Sequence, residues 1–253
     1  MLKKGVKKAQ VALFVIIAII LIAAIIIFLS LKPGIKKIPR VTEPQAYIEK
    51  CMKDAASEAL ELISKQGGSL EPRGYALYGN RKVAYLCYTR DYYTPCTNIY
   101  PMLKYHVENE ITSYIFPKVR ECVNTLEREL IARGYVIKVD EDNINIVTTL
   151  IPRKVVIDAN IPLTITKEET KKFEKFKATV LWPIYDHIIL AQDIVNSEVE
   201  YGNYDQLSYM LYKPNVDIEK KRVGENTIYV VRDRGTGKRF LFAVRSYVMP
   251  PGF

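Results

Sequence analysis

The sequence predicts an α+β fold, in which a single N-terminal transmembrane helix is followed by an antiparallel-sheet domain with packed helices. Three observations lead there. Residues 11–31 are an almost unbroken apolar run. Between about residues 44 and 133, apolar side chains recur at helical spacing. Beyond Tyr135 the period changes to alternation, the pattern of strands with one buried face.

The apolar run reads VALFVIIAIILIAAIIIFLSL, 21 residues with Ser30 the only polar side chain. A helix of that length covers about 30 Å, the thickness of a bilayer's hydrocarbon core. It is apolar on every face, unlike a core helix, and no small-residue cleavage pattern follows it, unlike a secretory signal. The expected division is therefore a basic cytoplasmic segment and anchor over 1–31, a stalk over 32–41 and an extracytoplasmic α+β domain over 42–253. The address expected from it is the cell membrane, single-pass.

Charge supports that division. The net charge is +9, but eight of the 37 basic residues lie in residues 1–40, which hold no acid, leaving 29 bases against 28 acids beyond. Cations flanking an apolar run meet anionic headgroups, so a lipid bilayer is an expected partner. A nucleic-acid binder carries its charge on the folded domain, so nucleic acid is excluded as a partner.

The first domain helix starts where Thr42-Glu-Pro-Gln45 offers a capping box with Pro in the first turn. Ile48, Cys51, Met52, Ala55, Ala59, Leu62 and Ile63 give it one apolar face, and Gly67-Gly68 stops it. YALYG and KVAYLCY around Gly79-Asn80 form a hairpin. A long helical pattern runs from about Pro101 to Arg133, with a kink or split expected at Pro117. Val119, Cys122, Val123, Leu126 and Leu130 share a face in its second half. YVIKV and NINIVTTL flank the acidic turn Asp140–Asn143, and VVIDANIPLTIT and FEKFKATVLWPI continue the strands across a polar connection. A helix over about Tyr185–Val199 covers the dry face of the sheet, and a short helix follows over Tyr204–Tyr212. NTIYVV and RFLFAV close the chain as a hairpin.

Chemistry finds little purchase. Gly235-Thr-Gly-Lys238 lacks the first Gly and the final Ser or Thr of a phosphate loop and lies between strands, so it reads as a turn. Asp140, Glu141 and Asp142 lack calcium-loop spacing. His106 and His187 stand in no recognisable nucleophile motif. No catalytic residue, cofactor or metal is expected. The four cysteines, Cys51, Cys87, Cys96 and Cys122, all follow the anchor and allow two bridges in three pairings, which favours an oxidising compartment. Of 18 tyrosines, 10 fall between Tyr47 and Tyr114. Tyr88, Tyr92, Tyr93 and Tyr100, with Arg90, cluster around Cys87–Cys96 and form the candidate binding surface, since Tyr joins apolar area to a polar tip.

LKKGVKKAQVALFVIIAII resembles the amino termini of archaeal surface proteins with class III (archaellin- and pilin-type) signal sequences. The resemblance implies a possible processing junction at Ala9–Gln10, although Phe14 stands where pilin-type subunits usually carry Glu. More broadly, AQVALFVIIAI, YIEKCMKDAASEALELISKQGG, YIFPKVRECVNTL and FKATVLWPIYDHIILAQDIVN are similar to a family of N-terminally anchored surface proteins of small-genome archaea. That resemblance implies an envelope address and a structural role for Cys51 and Cys122, and no activity. Helix faces then favour pairing Cys51 with Cys122, and Cys87 with Cys96 across a short loop.

The function expected is a non-catalytic membrane-anchored surface protein with a structural, adhesive or assembly role and other envelope or surface proteins as partners. Its oligomeric state is left open. The alternatives are a pilin-like filament subunit and an anchored enzyme or substrate-binding module.

Overall fold

The computed structural model describes residues 17–22 and 43–247. It corrects the expected anchor and, with it, the membrane address: among the described residues no helix is long and apolar enough to cross a membrane. Of the run over 11–31 only residues 17–22 are described, as helix. The rest of the run, the junction Ala9–Gln10 and the stalk fall outside the described residues. Over the described residues the fold class is accordingly α+β, with no transmembrane helix among them.

Two sheets replace the one expected. The first contains β1 (Tyr75–Tyr78), β2 (Arg81–Tyr88), β10 (Arg239–Arg245), β9 (Asn226–Asp233) and β8 (Val216–Val223) in that order, with the two-residue β3 (Thr97–Asn98) also paired to β2. It is mixed, because β2 and β10 run parallel while its other pairs are antiparallel. The second is antiparallel and built on the long β6 (Lys154–Thr166). On one edge β6 pairs β7 (Thr170–Leu181); on the other it pairs β5 (Asn145–Ile151) and then β4 (Val136–Val139). The register slips between Asn160 and Leu163, around Pro162, which has no N–H for a ladder. The polar connection expected over 167–172 is shorter than read, since β7 already begins at Thr170.

Three helices join the sheets into one core. α1 (Pro44–Ile63) packs on β7, and α2 (Leu103–Ile131) packs on α1, β5 and β4. α3 (Ile184–Tyr201) lies against β10, β2 and β9 and also reaches β5 and β6. A short α4 (Gln206–Tyr212) leans on β8. The capping box at Thr42 is not used as read: the N-cap is Glu43, with no side-chain cap, and Gln45 instead donates to Glu49. α2 stays one helix through Pro117. Pro117 and Ser113, whose carbonyl it frees, are both exposed, so water can satisfy that carbonyl while the opposite face stays packed.

The cysteines bond as Cys51–Cys122, joining α1 to α2, and Cys87–Cys96, closing a loop after β2. Beyond α1 the chain makes a wedge that parts β2 from β10: Ala84 N donates to Gln66 O, and Leu241 N donates to Ser64 O. Gly67 and Gly68 have φ of +74° and +88°, and a Cβ on either would stand 2.8 Å from Ala84 Cβ or Val107 Cγ2. Only glycine combines that backbone with that approach. Below the wedge, the start of β2 and β1 fold over the outer face of the first sheet. Ala76 and Val83 bury Ile228, Val230, Leu241 and Ala243 there. With both faces covered, β9 and β10 read as continuous apolar runs rather than alternation.

Candidate recognition surface

The parallel pairing of β10 beside β2 sets Arg245 against Tyr88. Arg245 donates to the Tyr88 hydroxyl at 3.2 Å and to Glu225, in the β8–β9 turn, at 2.6 Å. Glu225 also accepts from the Tyr92 hydroxyl at 2.8 Å, and its carbonyl accepts from Tyr247 at 2.8 Å. The Tyr92 and Tyr247 rings lie 4.9 Å apart and those of Tyr85 and Tyr88 4.8 Å apart, spacings that favour aromatic pairing. The Arg245 guanidinium sits 5.6 Å from the Tyr88 ring and 5.4 Å from that of Tyr247. Arg245, with Arg90 beside it, holds the Tyr88 phenol below its ordinary value, while Glu225 raises that of Tyr92.

Of the residues expected here, Tyr88, Arg90 and Tyr92 share this patch. Tyr93 stands at the tip of the disulfide-closed loop, 65% exposed, with φ of +61°. A left-handed backbone at a bulky residue costs on the order of 1–3 kcal/mol, and such strain clusters at binding sites. Tyr100 does not join them: its ring stacks on His106 at 4.3 Å. Sequence reasoning missed Tyr85, Glu225, Arg245 and Tyr247. A turn and a strand end more than a hundred residues from Tyr88 supply the last three, and nothing local marks them.

His106 has a partner that its sequence neighbours did not reveal. Ser69 Oγ lies 2.8 Å from its Nε2, and Glu110 stands 4.0 Å from the same nitrogen. A nucleophile relay needs hydroxyl and acid on different ring nitrogens and an accessible Ser. Here both face Nε2, Ser69 is buried, and Glu110 is bound to Leu70 N at 2.6 Å. In the turn Asp140–Asn143, Glu141 pairs with Arg120. The turn after β9 is held by Asp233, which accepts from Thr236 N and Oγ1 at 2.7 Å each.

His187, at the start of α3, is 2% exposed, and neither ring nitrogen has a partner among the described residues. Burial pushes its imidazole down to about 4, against the opposing pull of Asp233. The unfolded chain takes up that proton near the ordinary value of about 6.5. The contribution of neutral His187 is thus complete above about 6.5, lost as pH falls toward 4, and levels off below. A fall from about 6.5 to about 4 makes this of order 3 kcal/mol. Chemical denaturation from pH 7 to 4 should show a steeper stability loss for the wild type than for His187→Leu. Equal slopes would refute it.

A cleft of about 800 Å³ lies between the start of α1, the end of α2 and the β6–β7 hairpin. Leu130, Ile165 and Phe173 contribute its apolar wall, and Glu49, Lys167 and Glu168 are among its charges. Both signs occur, so it selects no ligand charge. Comparison with known proteins adds no relative: no family model matches the chain, and no curated protein or solved structure matches it.

Proposed function

We propose that this is a non-catalytic recognition domain, structural, adhesive or assembly-related, that acts in an oxidising compartment through the loop closed by Cys87–Cys96. The carrying observation is Tyr93, held exposed in a left-handed backbone by that loop, beside Tyr92 and the Arg245–Glu225 network. Strain at an exposed aromatic serves contact better than packing. Two disulfides suit an oxidising environment. A protein partner, rather than nucleic acid, agrees with a chain almost neutral beyond residue 40. The resemblance of residues 47–68, 114–126 and 176–196 to the archaeal family belongs to this proposal and assigns it no activity.

The test compares quantitative capture of native partners by the oxidised wild type, Tyr92→Ser and Tyr93→Gly. Either substitution should reduce capture at least tenfold, a loss of about 1.4 kcal/mol. Tyr93→Gly should melt within a few degrees of the wild type, because relief of strain offsets glycine's greater unfolded freedom. Undiminished capture by both variants would remove the loop from any recognition role.

A further inference from the structure

The turn between β9 and β10 meets the end of α1 at a second cavity, of about 370 Å³. Its wall holds three cations, Lys65, Lys238 and Arg239, with one acid, Glu61, and the ring of Trp182. Lys238 and Lys65 both reach Glu61, at 2.7 and 3.1 Å. Arg239 is exposed and makes no ion pair among the described residues. One carboxylate therefore faces three cations, and the cavity keeps an excess of positive charge. Trp182 is 4% exposed, and its Nε1–H has no acceptor among the described residues. A buried donor without a partner is rare and commonly marks a missing water or ion.

We propose that this cavity binds a small tetrahedral oxyanion, phosphate or sulfate, either free or as the end group of an ester. Such an ion brings several acceptor oxygens and a charge that matches the excess. Lys238 is the movable element. Its ammonium lies 3.6 Å from the centroid of the Trp182 ring while bound to Glu61, so an incoming anion competes with both contacts. Side chains do the binding. The Thr236 and Gly237 amides are already bonded to Asp233, which separates this site from a phosphate loop that binds through its backbone.

Trp182 is the sole tryptophan, so the emission of the intact chain reports on the cavity. Titration with sodium phosphate or sodium sulfate should give a saturable change in emission, and sodium chloride at matched ionic strength should not. Arg239→Gln, which leaves the Lys238–Trp182 contact in place, should weaken the half-saturation at least tenfold. Glu61→Gln should strengthen it several-fold, because both lysines lose a competing carboxylate; a merely structural Glu61 would not act in that direction. A phosphomonoester binding more tightly than inorganic phosphate supports an ester end group, and the reverse order supports the free ion. No saturable change, the same change with chloride, or unaltered binding in both variants would overturn the site.

Discussion

Removing the bond between α1 and α2, by reduction or by the double substitution of Cys51 and Cys122 with Ser, should lower stability by about 4 kcal/mol. The bond closes a loop of 71 residues that contains β1, β2, β3 and most of α2. In the chain-entropy account the cost rises with the logarithm of that length, because the reduced unfolded chain regains the freedom the cross-link denied it. The two helices also present their buried residues to one core, so their relative position matters to both sheets. For a chain of this size, about 4 kcal/mol corresponds to roughly 8–16 °C in melting temperature. The shorter Cys87–Cys96 loop is worth nearer 3 kcal/mol on the same account, and its loss should act mainly on the loop that carries Tyr92 and Tyr93. Thermal melts with and without reductant decide this. Coincident melts would show that the helices are fixed by packing alone.

The second large effect is expected at Glu198, near the end of α3. Its side chain is 3% exposed, yet it is an acid, and two groups hold its carboxylate. The Tyr229 hydroxyl donates to its carboxylate, and Lys220 Nζ lies 3.4 Å from the same oxygen. Lys220 also donates to Asn203, and Ser246 donates to the Glu198 carbonyl. This network ties α3 to β8 and β9. Burial, then the charge of Glu198, pushes the Tyr229 phenol far above its ordinary value, so it remains a donor. Glu198→Ala removes the acceptor and leaves a buried hydroxyl and a mostly buried ammonium short of a partner. The expected loss is about 3–5 kcal/mol. Glu198→Gln keeps an acceptor and should cost less, and combining Glu198→Ala with Tyr229→Phe should cost less than the sum of the two. Urea denaturation of the wild type, the two Glu198 variants, Tyr229→Phe and the double variant measures this. A loss below about 0.5 kcal/mol for Glu198→Ala would show that the network carries no stability.

How much of this was legible in the sequence differs by element. Helical spacing located α1, α2 and α3 because each buries one continuous stripe, and it put Cys51 and Cys122 on facing sides. β8 was not read: it is an edge strand whose stretch EKKRV looks like a solvated connection, and Ile218 is its one fully buried side chain. The apolar run over 11–31 reads as an anchor from its hydropathy, length and flanking cations, and the described helices contain none long and apolar enough to span a bilayer. The candidate surface was half legible. Tyr88, Arg90, Tyr92 and Tyr93 stand close together in sequence, and a tight disulfide loop keeps them together. Tyr100 also stood close, but β3 and the start of α2 lead it away to His106.

By itself the sequence determined local matters: the helix faces, the turn residues, the helix stop at Gly67-Gly68, and the near-neutral charge beyond residue 40. These depend on side chains within a few positions of one another, where periodicity and backbone sterics act directly. Tertiary structure alone decided that there are two sheets, that β10 lies parallel to β2, that Arg245 and Glu225 complete the tyrosine patch, and that Lys65, Lys238 and Arg239 line one cavity with Trp182. A period of two or 3.6 states which face a segment buries and not what it is buried against. Strand partners are chosen by backbone hydrogen bonds and shape across the whole core, so groups more than a hundred residues apart meet only once that core has closed.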